Sequence, residues 1–260
     1  MRRMILSICL AVCLGYANGG ENNKSTATNS RKIEMPAALK GVPERIIMHT
    51  GYVVSFNREH NNPNYVAWDL TNREASGDIP RRNSFAPDPL VPSPHQVTTS
   101  DYKGCGYDRG HMAPAADMKW SAVVMRECFY MSNICPQDHK LNSVSWQKLE
   151  TACRRWAKNE GCVYIVCGPV YKKGVRHKTI GKDHIITVPE GFFKVVLSLK
   201  KGHEKAIGFY YANTSASQPM AKTATTVDAI EKLTGMNFFV NLSSKLENKV
   251  ESTYSLKYWN

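Results

Sequence analysis

A chain of 260 residues with 42% apolar and 22% charged side chains has the make-up of a folded globular protein, which excludes a disordered or low-complexity one. Its formal charge of +12 and pI near 9.3 favour an anionic partner, either nucleic acid or a membrane surface. No stretch reaches the roughly 20 apolar residues that a membrane-spanning helix needs.

Residues 1–20 read as a secretory signal peptide. Arg2 and Arg3 give a positive start, Met4 to Leu14 is apolar, and Gly15-Tyr16-Ala17 offers small residues for cleavage. The implied location is secreted or periplasmic; a short membrane anchor, or a lipoprotein anchored through Cys13, is the less favoured alternative. Removing Arg2 and Arg3 takes +12 to +10, because residues 1–20 hold no other charged side chain. Residues 21–45, rich in Asn, Ser, Thr and Lys, read as a flexible polar tether, and residues 46–260 as a single domain. Without Cys9 and Cys13 six cysteines remain: Cys105, Cys128, Cys135, Cys153, Cys162 and Cys167. An even number in an exported chain implies disulfides, whose pairing the sequence leaves open. A zinc site competes weakly, since no pair has C-x-x-C spacing.

Ile46 to Phe56 and Tyr65 to Leu70 read as strands with a Pro-Asn turn between them. Residues 71–100, with five prolines, read as a long stiffened loop. Tyr107 to Pro114 reads as a short strand and turn, Ser121 to Glu127 as a helical turn, and Phe129 to Ile134 as a strand stopped by Pro136. Trp146, Leu149, Cys153 and Trp156 recur at steps of three and four, which predicts a helix over 143–158 ended by Gly161. Val163 to Cys167 is a strand before a Gly168-Pro169 turn. Ile185 to Val188, Phe192 to Leu199 and Ala206 to Tyr211 are further strands, and Thr226 to Leu233 is a short helix. Strands outnumber helices in mixed order, so the fold class is α+β with mixed or antiparallel sheets.

Two groups of residues carry chemistry. His111 is a natural general base near neutral pH. Arg109, two residues away, shares its face in a strand and can hold a phosphate by two hydrogen bonds. Gly110 between them lets the backbone bend or a ligand approach. The second group is Asn142 and Glu150, two turns apart around the start of the long helix. An amide oxygen and a carboxylate are hard ligands suited to Mg2+. The bland alternative makes Asn142 the helix N-cap and Glu150 a solvated charge. Taken together, the Arg-Gly-His strand, a second strand with Ser132-Asn133 and a helix opening on Leu141-Asn142 form a β-β-α unit bearing base and metal ligand.

Tyr107-Asp108-Arg109-Gly110-His111-Met112-Ala113-Pro114 resembles the signature of the DNA/RNA non-specific endonucleases, the ββα-metal (His-Me finger) enzymes. The resemblance continues through Met131 to Gln137, Leu141-Asn142, Trp146 to Glu150, Gly168 to Tyr171, Val188 to Lys194 and Ile230 to Gly235, over residues 46–243. It implies a ββα-metal core with His111 as general base. Asn142 matches the direct Mg2+ ligand, with Mn2+ an acceptable substitute. Glu150 matches the carboxylate that orients water on the metal, and Asn133 a supporting asparagine. Arg109 and Arg82 match arginines at the scissile phosphate, Arg82 being aligned in a variable loop beside Arg81. Ser143-Val144-Ser145 departs from the pair that many members carry after the metal asparagine. The implied activity is hydrolysis of DNA and RNA without sequence preference, leaving 5′-phosphate ends. The oligomeric state stays open, a homodimer included. The alternative is a basic surface protein that binds nucleic acid without cutting it.

Overall fold

The computed structural model describes residues 32–259. The expected signal peptide, with Cys9 and Cys13, lies outside the described residues.

The strands in chain order are β1 (Arg45–Met48), β2 (Val53–Asn57), β3 (Asn62–Thr71), β4 (Asp108–His111), β5 (Ile134–Gln137), β6 (Cys162–Val170), β7 (Thr179–Ile180), β8 (Ile186–Thr187), β9 (Gly191–Ser198), β10 (Lys205–Ala212) and β11 (Ala224–Thr225). The helices are α1 (Ala122–Glu127), α2 (Gln147–Glu160), α3 (Met220–Thr223), α4 (Val227–Thr234) and α5 (Ser244–Glu251). Seven strands form one antiparallel sheet in the order β1-β2-β3-β6-β9-β10-β11; β4 pairs with β5, and β7 with β8, in separate two-stranded ribbons. The fold is therefore α+β with antiparallel sheets.

The period of two along a strand sends successive side chains to opposite faces of the sheet. Val66, Trp68, Ile165, Cys167, Phe192, Val196, Ile207 and Phe209 join one core, together with Leu149, Cys153 and Trp156 of α2. Tyr65, Ala67, Val166, Phe193, Val195 and Leu197 join a second core on the other face, with Val227 and Ile230 of α4 and Val250 of α5. Strands with a core on each face read as near-continuous apolar runs, as Val163 to Cys167 does. The β4–β5 ribbon and α2 belong to the first face.

Several local expectations change. Ile46 to Phe56 is a hairpin, with His49 N–H donating to the Tyr52 carbonyl (3.0 Å) across the turn. The next turn lies at 58–61. There Asn57 Oδ1 accepts from the N–H groups of Glu59 and His60, and Asn61 takes a left-handed φ of 49°, leaving Pro63 and Asn64 in β3. The Phe129–Ile134 strand is replaced by a 3-10 turn over Met131–Asn133 and then β5. Pro136 sits inside β5, where a two-stranded ribbon tolerates a missing N–H. Gly168 and Pro169 do not turn the chain but pair with Phe193 and Phe192. α5 is a helix that the local apolar pattern does not predict.

Residues 32–44 are not a tether. Ile33, Met35 and Leu39 pack on the second core, and Ala37 N–H donates to the Asn237 carbonyl (2.9 Å). The expected disulfides are also absent: all six cysteines are free. Cys128 and Cys167 are buried thiols that donate to the carbonyls of Met125 (3.2 Å) and Met112 (3.3 Å). None belongs to a metal-sized cluster among the described residues. A cysteine of this kind acts as a small core residue.

The proline-rich stretch 71–100 is anchored at one buried point. Asp88 accepts from Ser132 Oγ, from the Leu90 N–H (2.8 Å) and from His49 Nε2 (3.0 Å). Burial alone would raise its carboxyl; these hydrogen bonds outweigh burial and lower it. This Asp-centred knot, with the Ala86–Tyr130 bridge, pins the loop beside β4 and β5.

Candidate active site

β4 and β5 bring Asp108 opposite Gln137 and His111 opposite Ile134. Gly110 leaves room for the Gln137 side chain, with which a Cβ there would collide. Just past His111 the chain is clamped by Asn133. Its Nδ2 donates to the carbonyls of Ala113 (2.9 Å) and Cys128 (2.8 Å), and its Oδ1 accepts from the Ala113 N–H (2.9 Å). Fully buried and saturated, Asn133 positions the His111 backbone and has no free atom for a ligand.

His111 lies on an aromatic ledge. Its ring meets Phe129 edge-on at 4.9 Å and Phe85 at 5.3 Å between centroids. The Arg109 guanidinium sits over the Phe85 ring at 4.4 Å, and that of Arg81 over Phe129 at 5.3 Å. Two cations thus flank one imidazole. Burial first, then the charges of Arg81 and Arg109, pushes His111 down to about 3, so the ring is neutral at pH 7. Its Nε2 is sealed from solvent and has no hydrogen-bond partner among the described residues.

Before α2 the chain makes a π-helical turn over Leu141–Trp146, a local widening that recurs at functional sites. Asp138, not Asn142, caps this helix: its Oδ1 accepts from the N–H groups of Lys140 (2.9 Å) and Leu141 (3.2 Å). Asn142 is therefore free of the capping role. Its Nδ2 donates to Asp108 Oδ2 (2.9 Å), which also meets His139 Nδ1 (2.9 Å). Asn142 Oδ1 accepts no hydrogen bond among the described residues, so an acceptor of fixed orientation stays available. Glu150 is half-buried instead of solvated, and burial pushes it up to about 7 against the opposing charges of Lys194, Arg154 and Arg81. An unpaired amide oxygen and a carboxylate without a hydrogen-bond partner are a donor set that fits a hard divalent cation.

Below Glu150 lies Lys194, fully buried, its Nζ 4.5 Å from the Trp146 ring centroid and 5.2 Å from that of Trp68. Burial would lower it; Cys167, Cys153, Glu150 and Asp117 outweigh that and raise it. Asp117 in turn accepts from Arg154 Nη1 (2.9 Å) and Trp68 Nε1 (3.2 Å). A cleft of about 520 Å³ lined by Ser100, Lys103, Tyr107, Asp108 and Arg109 opens at β4. A larger cleft of about 630 Å³, by Arg45, Arg58 and His95, contains none of the candidate residues.

A family model described as DNA/RNA non-specific endonuclease matches residues 29–245. The chain belongs to that family. Its match begins upstream of residue 46, in keeping with the docked 32–44 segment. This endonuclease-family chain is 34% identical over 209 residues to "Nuclease 1, mitochondrial" of Schizosaccharomyces pombe, covering 74% of the chain and 65% of that protein. It is 31% identical over 206 residues to human "Endonuclease G, mitochondrial", covering 75% of the chain and 69% of that protein. The chain thus spans just under two thirds of the first relative's length. A solved structure titled as the EndoG/EndoGI complex superposes with a TM-score of 0.73 at 28% identity, over 78% of this chain and 89% of that one. The fold is that of the ββα-metal nucleases.

These relatives correct the expected location. They are mitochondrial nucleases, not secreted or periplasmic proteins. Two arginines ahead of a short apolar run supply charge and hydrophobicity but do not specify an address. No described helix is long and apolar enough to cross a membrane.

Among the endonuclease-family residues picked from sequence, the structure joins Asn142 to the His111 strand through Asp108, and seats Arg109 beside His111. It is Arg81, not Arg82, whose charge falls on both His111 and Glu150. The neighbouring Arg82 is exposed and meets neither group among the described residues. Asp108, Arg81, Phe85 and Lys194 escaped the sequence reading as functional residues. For Asp108 a signal existed: a carboxylate in the His111 strand, thirty-four residues before Asn142. For Phe85 and Arg81 only the loop's tertiary path reveals the role.

Proposed function

We propose that the protein is a nuclease that hydrolyses phosphodiester bonds of DNA and RNA without sequence preference, uses one Mg2+ (or Mn2+), and leaves 5′-phosphate ends. One observation carries this reading: a neutral, buried imidazole flanked by two guanidinium groups on one aromatic ledge, beside an amide oxygen whose orientation is set by the Asn142 N–H donated to Asp108 of the same strand. A binding surface needs the cations; it has no use for a base held neutral between them.

His111 Nε2 is sealed, so Nδ1 is the atom that takes the proton from the attacking water. Arg109 and Arg81 hold the phosphate oxygens and offset the charge that grows on them. Asn133 keeps the imidazole in place by fixing the chain just past it, at Ala113. Asn142 and Glu150 would hold the divalent cation, which when bound supplies charge neutralisation at the phosphate and the leaving oxygen. Asp108 fixes the Asn142 amide, and Lys194 supplies the buried positive charge beside Glu150. Indifference to sequence follows from contacts to phosphate, which position the substrate without reading bases.

The test is cleavage of supercoiled plasmid and of RNA in Mg2+ or chelator by the parent protein, His111→Ala and Asn142→Ala. Each variant should lose at least about 100-fold in rate, in line with the contribution of a positioned acid–base group, while retaining salt-sensitive DNA binding. Full activity in either variant would sink the assignment. Salt-sensitive binding by the parent with no cleavage in any divalent ion would identify a non-catalytic binder.

A further inference from the structure

On the sheet face away from the candidate active site, α4 and α5 bring three carboxylates together. Asp228 and Glu231 stand one turn apart on α4, and Glu251 is the last residue of α5. One oxygen from each lies within 4.8 Å of the others. Glu251 is only 4% exposed, and its Oε1 is buried with no hydrogen-bond partner. Glu231 is held in place, its Oε1 accepting from the Phe238 N–H (2.7 Å). None of the three joins an ion pair among the described residues.

Like charges gathered without a counter-ion repel, and an idle carboxylate oxygen out of solvent is costly. A cation at the point of convergence removes both penalties. We propose that Asp228, Glu231 and Glu251 form a second divalent-cation site, of Ca2+ character, that fastens α5 to α4 and does not depend on the nuclease reading. The donors are all carboxylate oxygens, which suit hard cations. Two oxygens about 2.3–2.6 Å from a shared Ca2+ stand up to about 5 Å apart, whereas the shorter bonds of Mg2+ allow only about 4 Å. A set gathered within 4.8 Å lies inside the span that a shared Ca2+ can bridge. Asp228 is exposed, so the ion has an entry path and room for water to complete its shell.

The experiment is calorimetric titration of the full chain with CaCl2 in an Asn142→Ala background, with thermal unfolding in Ca2+ and in chelator alongside. One site is expected, together with a higher unfolding midpoint in Ca2+. Glu251→Gln and Asp228→Asn should each weaken binding by about tenfold or more, as ligand charge is lost, and abolish the Ca2+-dependent rise in midpoint. Asp228 is at the surface, so its variant tests the site even if Glu251→Gln fails to fold. No Ca2+ uptake by the Asn142→Ala protein at about 10 mM, above the weakest range of protein Ca2+ sites, overturns the proposal. So does an affinity unchanged in Asp228→Asn.

Discussion

Asp108 accepts a 2.9 Å hydrogen bond from the side-chain amide of Asn142. An amide that gives its N–H to a carboxylate has its oxygen turned the other way, so Asp108 sets which end of Asn142 is offered as a ligand. Asp108→Ala should lower Mg2+ affinity by about 10–100-fold, the usual cost of losing a group that orients a metal ligand. Calorimetric titration with Mg2+ reads this directly. An unchanged affinity would show that Asn142 needs no such support.

The two adjacent arginines of the loop should differ sharply. Arg81→Ala is expected to lower kcat/KM by about 10–100-fold, from the ~1.5–3 kcal/mol of a charge-assisted hydrogen bond. The charge of Arg82 falls on neither His111 nor Glu150, so Arg82→Ala should stay within about twofold. Steady-state kinetics on a short duplex separates them, and the reverse order would return Arg82 to the site.

Burial holds Glu150 at about 7, and its negative charge is lost as pH falls through that value. Mg2+ affinity should therefore weaken with falling pH, approaching tenfold per unit below about pH 7, because one proton competes with the ion. Glu150→Gln should flatten the dependence. Titrations between about pH 5.5 and 8.5 decide it, and a parent curve as flat as the variant's would refute it. His111 adds no step in this window, because its folded value is about 3. That value lies below the unfolded value of about 6.5. The unfolded chain therefore binds the extra proton, and His111 erodes stability as pH falls from about 6.5 towards 3.

Six free thiols make a redox prediction. Reductant should leave the thermal midpoint unchanged to within about 1 °C, since a lost disulfide would cost several degrees in a domain of this size. A thiol reagent added to protein unfolded without reductant should titrate Cys105, Cys128, Cys135, Cys153, Cys162 and Cys167. Blocked thiols together with a falling midpoint would show that some of them pair.

Much of the fold was legible because its signals are local. Trp146, Leu149, Cys153 and Trp156 announce the long helix by spacing alone, and all four are buried in the first core. Asn142 and Glu150 share a helix face, but their roles came from the resemblance through Leu141-Asn142 and Trp146 to Glu150, since helical geometry alone also allows an N-cap and a solvated charge. What stayed hidden depends on distant contacts. Phe85 and Arg81 reach the imidazole only because Asp88 and the Ala86–Tyr130 bridge tie their loop down. Residues 32–44 look polar, yet three spaced apolar side chains suffice to dock them. Only Leu246 and Val250 give α5 an apolar face, too little to mark a helix among polar neighbours. The cysteines misled because an even count implies pairing only in an oxidising compartment.

The central strands carry one core on each face, so consecutive residues answer to different neighbours. Ile165 and Val166 touch opposite layers of the molecule, as do Phe192 and Phe193. Compensating substitutions should therefore fall at steps of two along a strand, or directly across a ladder as between Ile165 and Val196, and seldom between adjacent positions. The layer beneath the imidazole and the layer beneath the acidic helices are then free to diverge at separate rates within a single sheet.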